Sequence, residues 1–377
     1  MIRIIHIVSS LGLGSGVMNL LMNYYRNIDR KKIQFDFLYF YDVDGDFKSE
    51  ITMLGGLYHK IGHPKRFLKC KNNIDNFLKK SEYKYKIIHC HPLYSNMLVN
   101  GLVKKHNIDI LIQHSHTAKY SNKKLSSLRN KMLLNINKNN ITNYVACGDE
   151  AEKIFSQKEL KKKGCLILNN GIDFEKYEFN LKYRNEIRSS IGILDEKTIV
   201  FGNVARFSSE KNHDILINIF KKYHDINSNS KLVLVGNGPL EHKIKDRIQK
   251  LNLMNDVIFM GIRDDVYKVI NAFDIFILPS SFEGFGIAAL EAEANGLLTI
   301  CSLGVPKDVI ISKNSYRFDV YGDESENIIV DFINKNINYN RNIDNKIFIE
   351  SKYNIKNESH LLEEFYLNLL GDVKYEK

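Results

Sequence analysis

Apolar and polar positions along the chain form two successive series of strand and helix patterns. Short apolar runs typical of buried strands cover 2–10, 33–42, 86–91, 110–116 and 143–148 in the first half, and 198–206, 231–238, 256–261, 274–280 and 297–302 in the second. Amphipathic patterns such as 17–28, 95–106, 213–226, 240–251 and 266–273 separate them. Continuous apolar strands alternating with helices predict parallel sheets covered by helices on both faces.

Two such series within 377 residues predict two doubly wound α/β domains. We place the first domain at 1–185 and the second at 190–350, with the connection in the polar stretch 169–197. In sheets of this kind ligands bind at the carboxyl ends of the strands. The candidate chemistry should therefore follow the strands.

Composition favours a globular protein of a reducing compartment. Hydrophobic residues make up 44% and charged residues 26% of the chain, and its five cysteines are scattered without a C-x-x-C pair. No apolar run reaches the roughly 18 residues that cross a bilayer, and the N-terminus reads as a strand rather than a signal peptide. We therefore expect a cytoplasmic location.

Positive charge concentrates in the first half of the chain. Residues 1–190 hold 32 of the 54 Lys and Arg residues but 17 of the 44 Asp and Glu residues, with basic clusters at 60–86 and 119–131. This asymmetry predicts an anionic partner, which could be nucleic acid, an anionic membrane surface or a phosphorylated substrate. A solvated face in a Lys- and Asn-rich chain is the alternative.

Cations and glycines follow the strands of the second half. Arg206 comes just past a strand and Lys211 stands at the entry to a helix, an arrangement that suits a di-anion such as pyrophosphate. Further along, the strand ends carry Gly236 and Gly238, where a ligand could approach the backbone, and then Ile262 and Arg263.

Two glutamates flank a glycine turn in “SFEGFGIAALEAEANG”. Glu283 lies in a loop, the turn Gly284-Phe285-Gly286 follows, and Glu291 lies on a predicted helix. Eight helical residues span about 12 Å. That distance suits one carboxylate accepting from a sugar and the other from a ribose, on either side of a pyrophosphate bound by the turn amides.

The first half offers a Gly-rich loop, “SSLGLGSGVMN”, and two H-x-H pairs at strand ends, His89/His91 and His114/His116. The loop spacing leaves a dinucleotide-binding fold open, although the third glycine of G-x-G-x-x-G would fall at Val17. Either H-x-H pair could bind a metal ion, but no acidic or cysteine partner recurs beside them.

Taken together, “GNVARFSSEKN”, “VGNGPL”, “VIFMG” and “PSSFEGFGIAALEAEANG” resemble the donor-binding half of the retaining GT-B glycosyltransferases of family 4. In the first half, “GSGVMNLLMNYYRNIDRKKIQFDFLYF”, “QHSHTAKYS” and “NYVACGDEAEKIF” resemble a subgroup of bacterial capsular and exopolysaccharide assembly. The resemblance is collinear from about residue 3 to residue 310. It departs from the usual pattern at Ser15, Met18 and Leu298, where glycine, glutamate and proline are common.

The resemblance implies the fold and a role for each candidate residue. The fold would be GT-B, with two Rossmann-like domains facing across a cleft and a last helix, about 355–370, crossing back to the first domain. Arg206 and Lys211 would bind the diphosphate, Glu283 the donor sugar and Glu291 the ribose. Ile262 and Arg263 would read the base through the backbone. Gly16 would face the phosphate and His116 the donor sugar.

The activity that the resemblance implies is retaining transfer of a hexose or N-acetylhexosamine from a nucleotide sugar, foremost a UDP-sugar. The acceptor would be a lipid-linked saccharide on a polyprenyl diphosphate, at the inner face of the cell membrane. Neither a metal nor another cofactor is expected, because the cations replace the divalent ion. The alternatives are another nucleotide-sugar enzyme on the same fold, or a non-catalytic protein binding nucleic acid or polyanion. Nucleic acid is not expected as a partner, because only Tyr83 and Tyr85 interleave with the basic residues and the donor motif is intact.

Overall fold

The chain folds into two compact units, the first comprising Met1–Gly171 and the chain from Lys352 onward, the second Ile172–Ser351. The computed structural model describes residues 1–117, 120, 124–322, 325–339, 341 and 346–372, so part of the predicted basic segment 119–131 lies outside the described residues. The stretch 172–185, predicted to belong to the first domain, lies in the second unit. It does so because Arg184, like Arg188, binds Asp274 at 2.6 Å.

The strands of the described chain are numbered in order. They are β1 (Ile2–Ser10), β2 (Ile33–Tyr41), β3 (Tyr58–Lys60), β4 (Ile87–Cys90), β5 (Ile110–Ser115), β6 (Asn143–Ala146), β7 (Cys165–Ile167), β8 (Ile199–Val204), β9 (Ser230–Val235), β10 (Val257–Gly261), β11 (Ile275–Leu278), β12 (Leu298–Ser302) and β13 (Ser315–Phe318).

The helices are numbered in the same way. They are α1 (Gly16–Asn27), α2 (Lys48–Met53), α3 (Phe67–Lys80), α4 (Leu102–Lys105), α5 (Lys124–Asn137), α6 (Asp149–Glu152), α7 (Gln157–Lys163), α8 (Phe174–Tyr177), α9 (Leu181–Ser190), α10 (His213–Ile226), α11 (Glu241–Lys250), α12 (Val266–Val269), α13 (Ile287–Ala294), α14 (Ser325–Asn336), α15 (Lys346–Ile349) and α16 (Ile355–Asp372).

The first unit is built on a parallel sheet of order β3-β2-β1-β4-β5-β6-β7. Its register pairs Ile4 with Phe35 across β1 and β2, and His6 with His89 across β1 and β4. Apolar clusters cover both faces of the sheet, one including α3 and the other including α1 and α16. The strand order reverses between β1 and β4, which is the position where doubly wound sheets open a ligand site.

The second unit repeats the plan with a sheet of order β10-β9-β8-β11-β12-β13, in which every pair is parallel. Here the order reverses between β8 and β11, so the loops after these two strands bound the expected ligand site. The core includes Phe201 of β8 and Phe220 of α10, which is fully buried.

The predicted helix over 95–106 is interrupted. A 3-10 turn covers Ser95–Met97, and α4 begins after Gly101, whose φ is +77°. That left-handed conformation costs glycine little and ends regular helix at this point.

Among the described residues, no helix is both long enough and apolar enough to cross a lipid bilayer.

Candidate functional site

The loops after β8 and β11 of the second unit are tied together at the reversal of strand order. The amide of Ser281 donates to the carbonyl oxygen of Glu210 at 2.8 Å, and Asn212 Nδ2 donates to the carbonyl oxygen of Pro279 at 2.9 Å. Asn212 has a φ of +48°, which turns the chain from the 3-10 turn Ser209–Lys211 into α10. These contacts fix Lys211 at the carboxyl edge of the sheet, as its sequence position predicted.

Lys211 and Glu283, which the sequence analysis assigned to different parts of a donor, form an ion pair. Ser280 Oγ also donates to Glu283 Oε1 at 2.6 Å, so the carboxylate has two partners. The side chains are only 18% and 10% exposed, which makes the pairing necessary because a half-buried charge without a partner is costly. Sequence spacing gave no signal for this pair or for Ser280.

The glycine turn leads directly into α13. Gly286 has a φ of +94° and precedes Ile287, the first residue of the helix, whereas Gly284 is exposed and Phe285 is half-buried. The first amides of a helix point away from it without intrahelical acceptors. The start of α13 lies beside Glu283, since a Cβ on Gly286 would be 3.9 Å from Glu283 Cγ, and the N-terminus of a helix is a favourable position for an anion.

Glu291 lies inside α13 and is 8% exposed. Tyr177 of α8 donates its hydroxyl to Glu291 Oε1 at 2.5 Å, a partner that the sequence analysis missed. Burial raises the pKa of Glu291 to about 7, against the opposing effect of the Tyr177 hydrogen bond. The Glu291 carboxyl group can therefore accept a hydrogen bond from a hydroxyl group, as it does from Tyr177.

Gly236 and Gly238 are required by close packing of the backbone. A Cβ on Gly236 would lie 2.1 Å from the carbonyl oxygen of Ala205, and one on Gly238 would lie 2.4 Å from that of Phe207. The tight approach at both positions is therefore made by the chain itself. Contact of these glycines with a ligand remains a prediction.

The remaining candidates of the second unit lie at the same edge of its sheet. Arg206 is exposed just beyond β8. Ile262 and Arg263 follow β10, and the Arg263 guanidinium binds Asp265 through two hydrogen bonds of 2.7 Å. Asp265 therefore engages the Arg263 side chain, and recognition of a base by the backbone at these positions remains a prediction.

The three departures from the family pattern have local explanations. Ser15 caps α1, because its Oγ accepts from the amide of Met18 at 3.3 Å, and Met18 itself is fully buried. Leu298 supplies a backbone N–H that proline lacks, and this amide donates to Tyr339 Oη at 2.8 Å.

The first unit contains a cavity of about 250 Å³ at its own reversal of strand order. Ser15, His91, His116 and Tyr120 are among the lining residues, whereas Gly16 begins α1 beside Ser15. A Cβ on Gly16 would meet nothing within 4 Å, so this face of the loop is open. The structure thus places Gly16 and His116 at the same carboxyl edge.

Both H-x-H pairs join His6 in one histidine cluster, defined here as His6, His89, His91, His114 and His116, of which His116 is half-buried and the others are buried. Imidazole nitrogens of His91, His114 and His116 lie within 4.8 Å of one another, as do those of His6, His89 and His91. The nitrogens of either trio are close enough together to hold a metal ion, but each trio consists of histidines alone, without an acidic or cysteine ligand among the described residues. Burial lowers the pKa of every ring in the cluster, to about 3 for His6 and His116.

Comparison with known proteins identifies the second unit. Residues 184–346 match the family model “Glycosyl transferases group 1”. The chain is 29% identical over 317 residues to “Putative glycosyltransferase EpsF” of Bacillus subtilis (strain 168), covering 81% of this chain and 80% of that protein. It is 27% identical over 225 residues to the UDP-Gal:alpha-D-GlcNAc-diphosphoundecaprenol alpha-1,3-galactosyltransferase of Escherichia coli, covering 58% of each chain.

The fold has close structural counterparts. The Anabaena protein Alr3699/HepE, solved in complex with UDP and glucose, superposes with a TM-score of 0.78 at 15% identity, covering 98% of this chain and 100% of that one. Sucrose-phosphate synthase from Thermosynechococcus elongatus superposes with a TM-score of 0.72 at 15% identity, covering 99% and 100%. The chain is a glycosyltransferase of the GT-B fold, and its second unit carries the group 1 glycosyl transferase domain.

Proposed function

We propose that this glycosyltransferase moves a hexose or N-acetylhexosamine from a UDP-sugar to a lipid-linked saccharide, with retention of configuration, during assembly of a surface polysaccharide. The observation that carries the proposal is the Lys211–Glu283 ion pair at the start of α13, on the helix that also holds the buried Glu291. Two acids and helix amides on the segment 283–291, with the cation Lys211 paired to the first acid, suit the ribose, sugar and diphosphate of such a donor.

Each candidate site residue of the second unit has a specific role in this proposal. Lys211, Arg206 and the amides of the 284–286 turn stabilise the charge that develops on the diphosphate. Glu291 accepts from the ribose in place of Tyr177, and Glu283 accepts from the donor sugar. The backbone at Ile262 and Arg263 reads the base, while Gly236 and Gly238 shape the adjoining strand ends.

The first unit contributes Gly16 and His116 to the donor in the same proposal. The bond between the anomeric carbon and the phosphate oxygen breaks, and UDP leaves. An acceptor hydroxyl forms the new glycosidic bond on the same face and passes its proton to the departing phosphate. No protein nucleophile takes part.

We expect the reaction to proceed without a metal ion or another cofactor, because Lys211 and Arg206 supply positive charge at the diphosphate. Turnover should survive EDTA. Loss of turnover on chelation, with recovery on adding Mg²⁺, would contradict metal independence.

The acceptor proposal draws on the relatives. The name of the Escherichia coli relative describes an acceptor carried on diphosphoundecaprenol and a UDP-Gal donor. A polyprenyl-diphosphate acceptor lies in a membrane, so we place the enzyme at the inner face of the cell membrane.

Exposed apolar side chains of the first unit support this membrane contact. Leu125, Leu128, Met132 and Ile136 of α5 are 85%, 67%, 55% and 59% exposed, and their spacing puts them on one side of the helix. Phe67 and Leu68 are exposed at the start of α3, next to the exposed Lys65, Arg66 and Lys69. Apolar residues with adjacent cations suit an anionic phospholipid surface.

Both helices begin at the edge of the sheet where the strands end. α3 follows β3 and α5 follows β5, so their first turns flank the edge that carries His116. We define Lys65, Arg66, Phe67, Leu68 and Lys69 with the four apolar residues of α5 as the apolar–basic surface.

The activity is tested by mass spectrometry of products from a panel of UDP-, GDP- and dTDP-sugars with polyprenyl-diphosphate-linked saccharides. We expect one new sugar on the lipid-linked acceptor with a UDP-sugar, and an α-anomeric product from an α-linked donor. Lys211→Met should lower product formation by about 100-fold or more, whereas Lys243→Met, at an exposed lysine of α11, should leave it unchanged. Absence of transfer from every nucleotide sugar would refute the proposal.

A further inference from the structure

The histidine cluster contains a continuous hydrogen-bonded chain that runs from the core of the first unit to its cavity. His6 Nδ1 lies 3.0 Å from His91 Nε2, and His91 Nδ1 lies 2.8 Å from His116 Nε2. His6 comes from β1, His91 follows β4 and His116 follows β5. His116 lines the cavity, whereas the His6 ring is fully buried.

A shared metal ion fits this chain poorly. Zinc binds imidazole nitrogens at about 2.0–2.1 Å, which separates two tetrahedral ligands by roughly 3.3 Å. The 2.8 Å separation of His91 Nδ1 and His116 Nε2 is shorter than that and is the length of a strong hydrogen bond. Each contact therefore holds one proton rather than a metal ion.

The directions of the two hydrogen bonds in this chain depend on each other. Each neutral imidazole carries one N–H and one bare nitrogen. Because His91 uses both of its nitrogens, it must donate to one neighbour and accept from the other. All N–H groups of the hydrogen-bonded chain therefore donate in one direction, either outward, toward His116, or inward, toward His6.

The inner end selects the direction. His6 Nε2 is buried without a hydrogen-bond partner among the described residues. If the chain pointed inward, this atom would carry an orphaned N–H, whereas an outward chain leaves a bare lone pair there. Orphaned buried N–H groups are rarer than under-satisfied acceptors. The outward direction is favoured, with His91 donating to His116 Nε2.

We propose that His91, oriented by His6, positions His116 as a neutral imidazole that holds its proton on Nδ1 and donates it in a hydrogen bond to an oxygen of the bound donor. His116 Nε2 is occupied as an acceptor, so His116 does not serve as a general base through that atom. His6 and His91 are positioning residues, and only His116 contacts substrate. The inference rests on the proposed function for the contact with the donor, but the tautomer itself does not depend on it.

The tautomer is measured without any substrate. In protein labelled with ¹⁵N-histidine, and with His116→Gln used to assign the resonance, we expect a protonated Nδ1 and an unprotonated Nε2 at His116. His91→Leu should release this preference, whereas His91→Asn should keep it, because the Asn amide can occupy the place of Nδ1 and donate. A wild-type His116 protonated on Nε2, or on both nitrogens, would overturn the proposal.

Kinetics test the consequence for transfer. We expect His91→Leu to lower kcat by about 10- to 100-fold with little change in KM for the donor, and His91→Asn to recover most of the loss. His89→Leu is the matched control, since His89 lies in the same cluster but bonds to Tyr366 Oη at 2.6 Å and not to His116. It should unfold at a lower temperature yet keep its kcat.

Two kinetic outcomes count against the inference. Equal losses of kcat in His91→Leu and His89→Leu would show that only packing of the cluster matters. Equal losses in His91→Leu and His91→Asn would exclude the donated hydrogen bond. If wild-type protein transfers no sugar, the proposed function fails, and the tautomer measurement still decides this inference.

Discussion

At the scale of single residues, Lys211, Glu283 and Glu291, which are proposed to bind the donor, each have a partner within the protein. Lys211 is paired with Glu283, and Glu291 accepts from Tyr177. A diphosphate must therefore compete with a carboxylate for Lys211, and a ribose must replace a tyrosine hydroxyl. These pairings avoid the cost of half-buried unpaired charge.

This pairing separates the roles of Lys211 and Glu283 in a testable way. Lys211→Met and Arg206→Ala should each lower turnover by about 100-fold or more, and Lys211→Met should also weaken UDP, because a donor to the developing charge is lost. Glu283→Gln should damage transfer but hold UDP at least as tightly as the wild type, because the competing carboxylate is gone. Calorimetric titration with UDP and steady-state kinetics measure both effects. A Glu283→Gln protein that binds UDP more weakly than the wild type would contradict the division.

Glu291 is best compared with Glu293, two positions further along α13. Burial raises the pKa of both carboxyl groups to about 7, but Glu293 accepts from the amides of Ile311 at 3.1 Å and Ser312 at 2.5 Å. Glu291→Ala should weaken UDP by about 1–3 kcal/mol through loss of the ribose contact, whereas Glu293→Gln should leave UDP affinity unchanged. Equal weakening in the two variants, measured by titration calorimetry, would count against a ribose contact at Glu291.

The raised pKa of Glu291 also predicts a pH dependence of stability. The folded protein binds more protons than the unfolded chain between the ordinary Glu pKa of 4.5 and about 7, so this group stabilises below that window and its contribution is lost as pH rises through it. Glu291→Gln should therefore be more stable than the wild type at pH 8, by about 1–3 kcal/mol, and should gain less at pH 5. Chemical denaturation at the two pH values measures the difference, and a larger gain at pH 5 would reverse the assigned sign.

At the scale of secondary-structure elements, the candidate site residues lie in the loops that follow strands. The loops after β8 and β11 carry the Lys211–Glu283 pair, and those after β1, β4 and β5 carry Gly16, His91 and His116. β8 and β11 flank the reversal of strand order in the second unit, β1 and β4 flank it in the first, and β5 lies beside β4. The helices α3 and α5 begin at the same edge of the first sheet and carry the apolar–basic surface.

The apolar–basic surface predicts binding to anionic vesicles. Reversing Lys65, Arg66 and Lys69 to Glu should weaken binding by at least about 100-fold at low salt, since each cation near such a surface contributes about 1 kcal/mol. Reversing the exposed Lys158, Lys161 and Lys162 of α7 changes net charge equally and should have a smaller effect. UDP affinity should be preserved in both variants.

The apolar part of this surface has its own control. Leu128→Glu with Met132→Glu should reduce vesicle binding, whereas Leu194→Glu, at a leucine of the second unit that is even more exposed, should not. Co-sedimentation with phosphatidylglycerol vesicles measures all four variants. If charge reversal, salt and the α5 substitutions all leave vesicle binding unchanged, these residues form an ordinary solvated surface and not a membrane contact.

At the scale of the whole molecule, two units with separate cores share one chain, and its end belongs to the first of them. Tyr366 of α16 is fully buried and bonds to His89, and Glu358 accepts from the amide of Asn169 at 2.6 Å. The last helix is therefore part of the core of the first unit.

Removing this anchor should act on the first unit alone. Tyr366→Ala should cost about 3–5 kcal/mol and Tyr366→Phe less, because the second change keeps the ring. Phe220→Ala is the matched change in the core of the second unit. Calorimetry should show an early transition in each variant, and UDP should shift it less in Tyr366→Ala than in Phe220→Ala, because the second unit supplies most of the proposed UDP contacts. An equal or larger UDP shift in Tyr366→Ala would contradict that assignment.

The sequence by itself determined the class of fold and the places where the chemistry would lie. Ten apolar runs correspond to ten of the strands, because a strand buried on both faces must be continuously apolar. The strands β3, β7 and β13 were not predicted, because they are short strands at the edges of the sheets. All residues of β3 are exposed, so it contains no apolar run. The positions of Lys211, Glu283 and Glu291 were evident from their spacing after strands.

Only the tertiary structure decided which of these residues meet. Lys211 lies 72 positions from Glu283, Tyr177 lies 114 from Glu291, and His6 lies 85 from His91. Periodicity reports which face of an element is buried, but contacts at such separations depend on strand order and register. Those follow from the packing of the whole sheet. The hydrogen-bonded histidine chain and the paired charges therefore became visible only once β1, β4 and β5, and likewise β8 and β11, lay side by side.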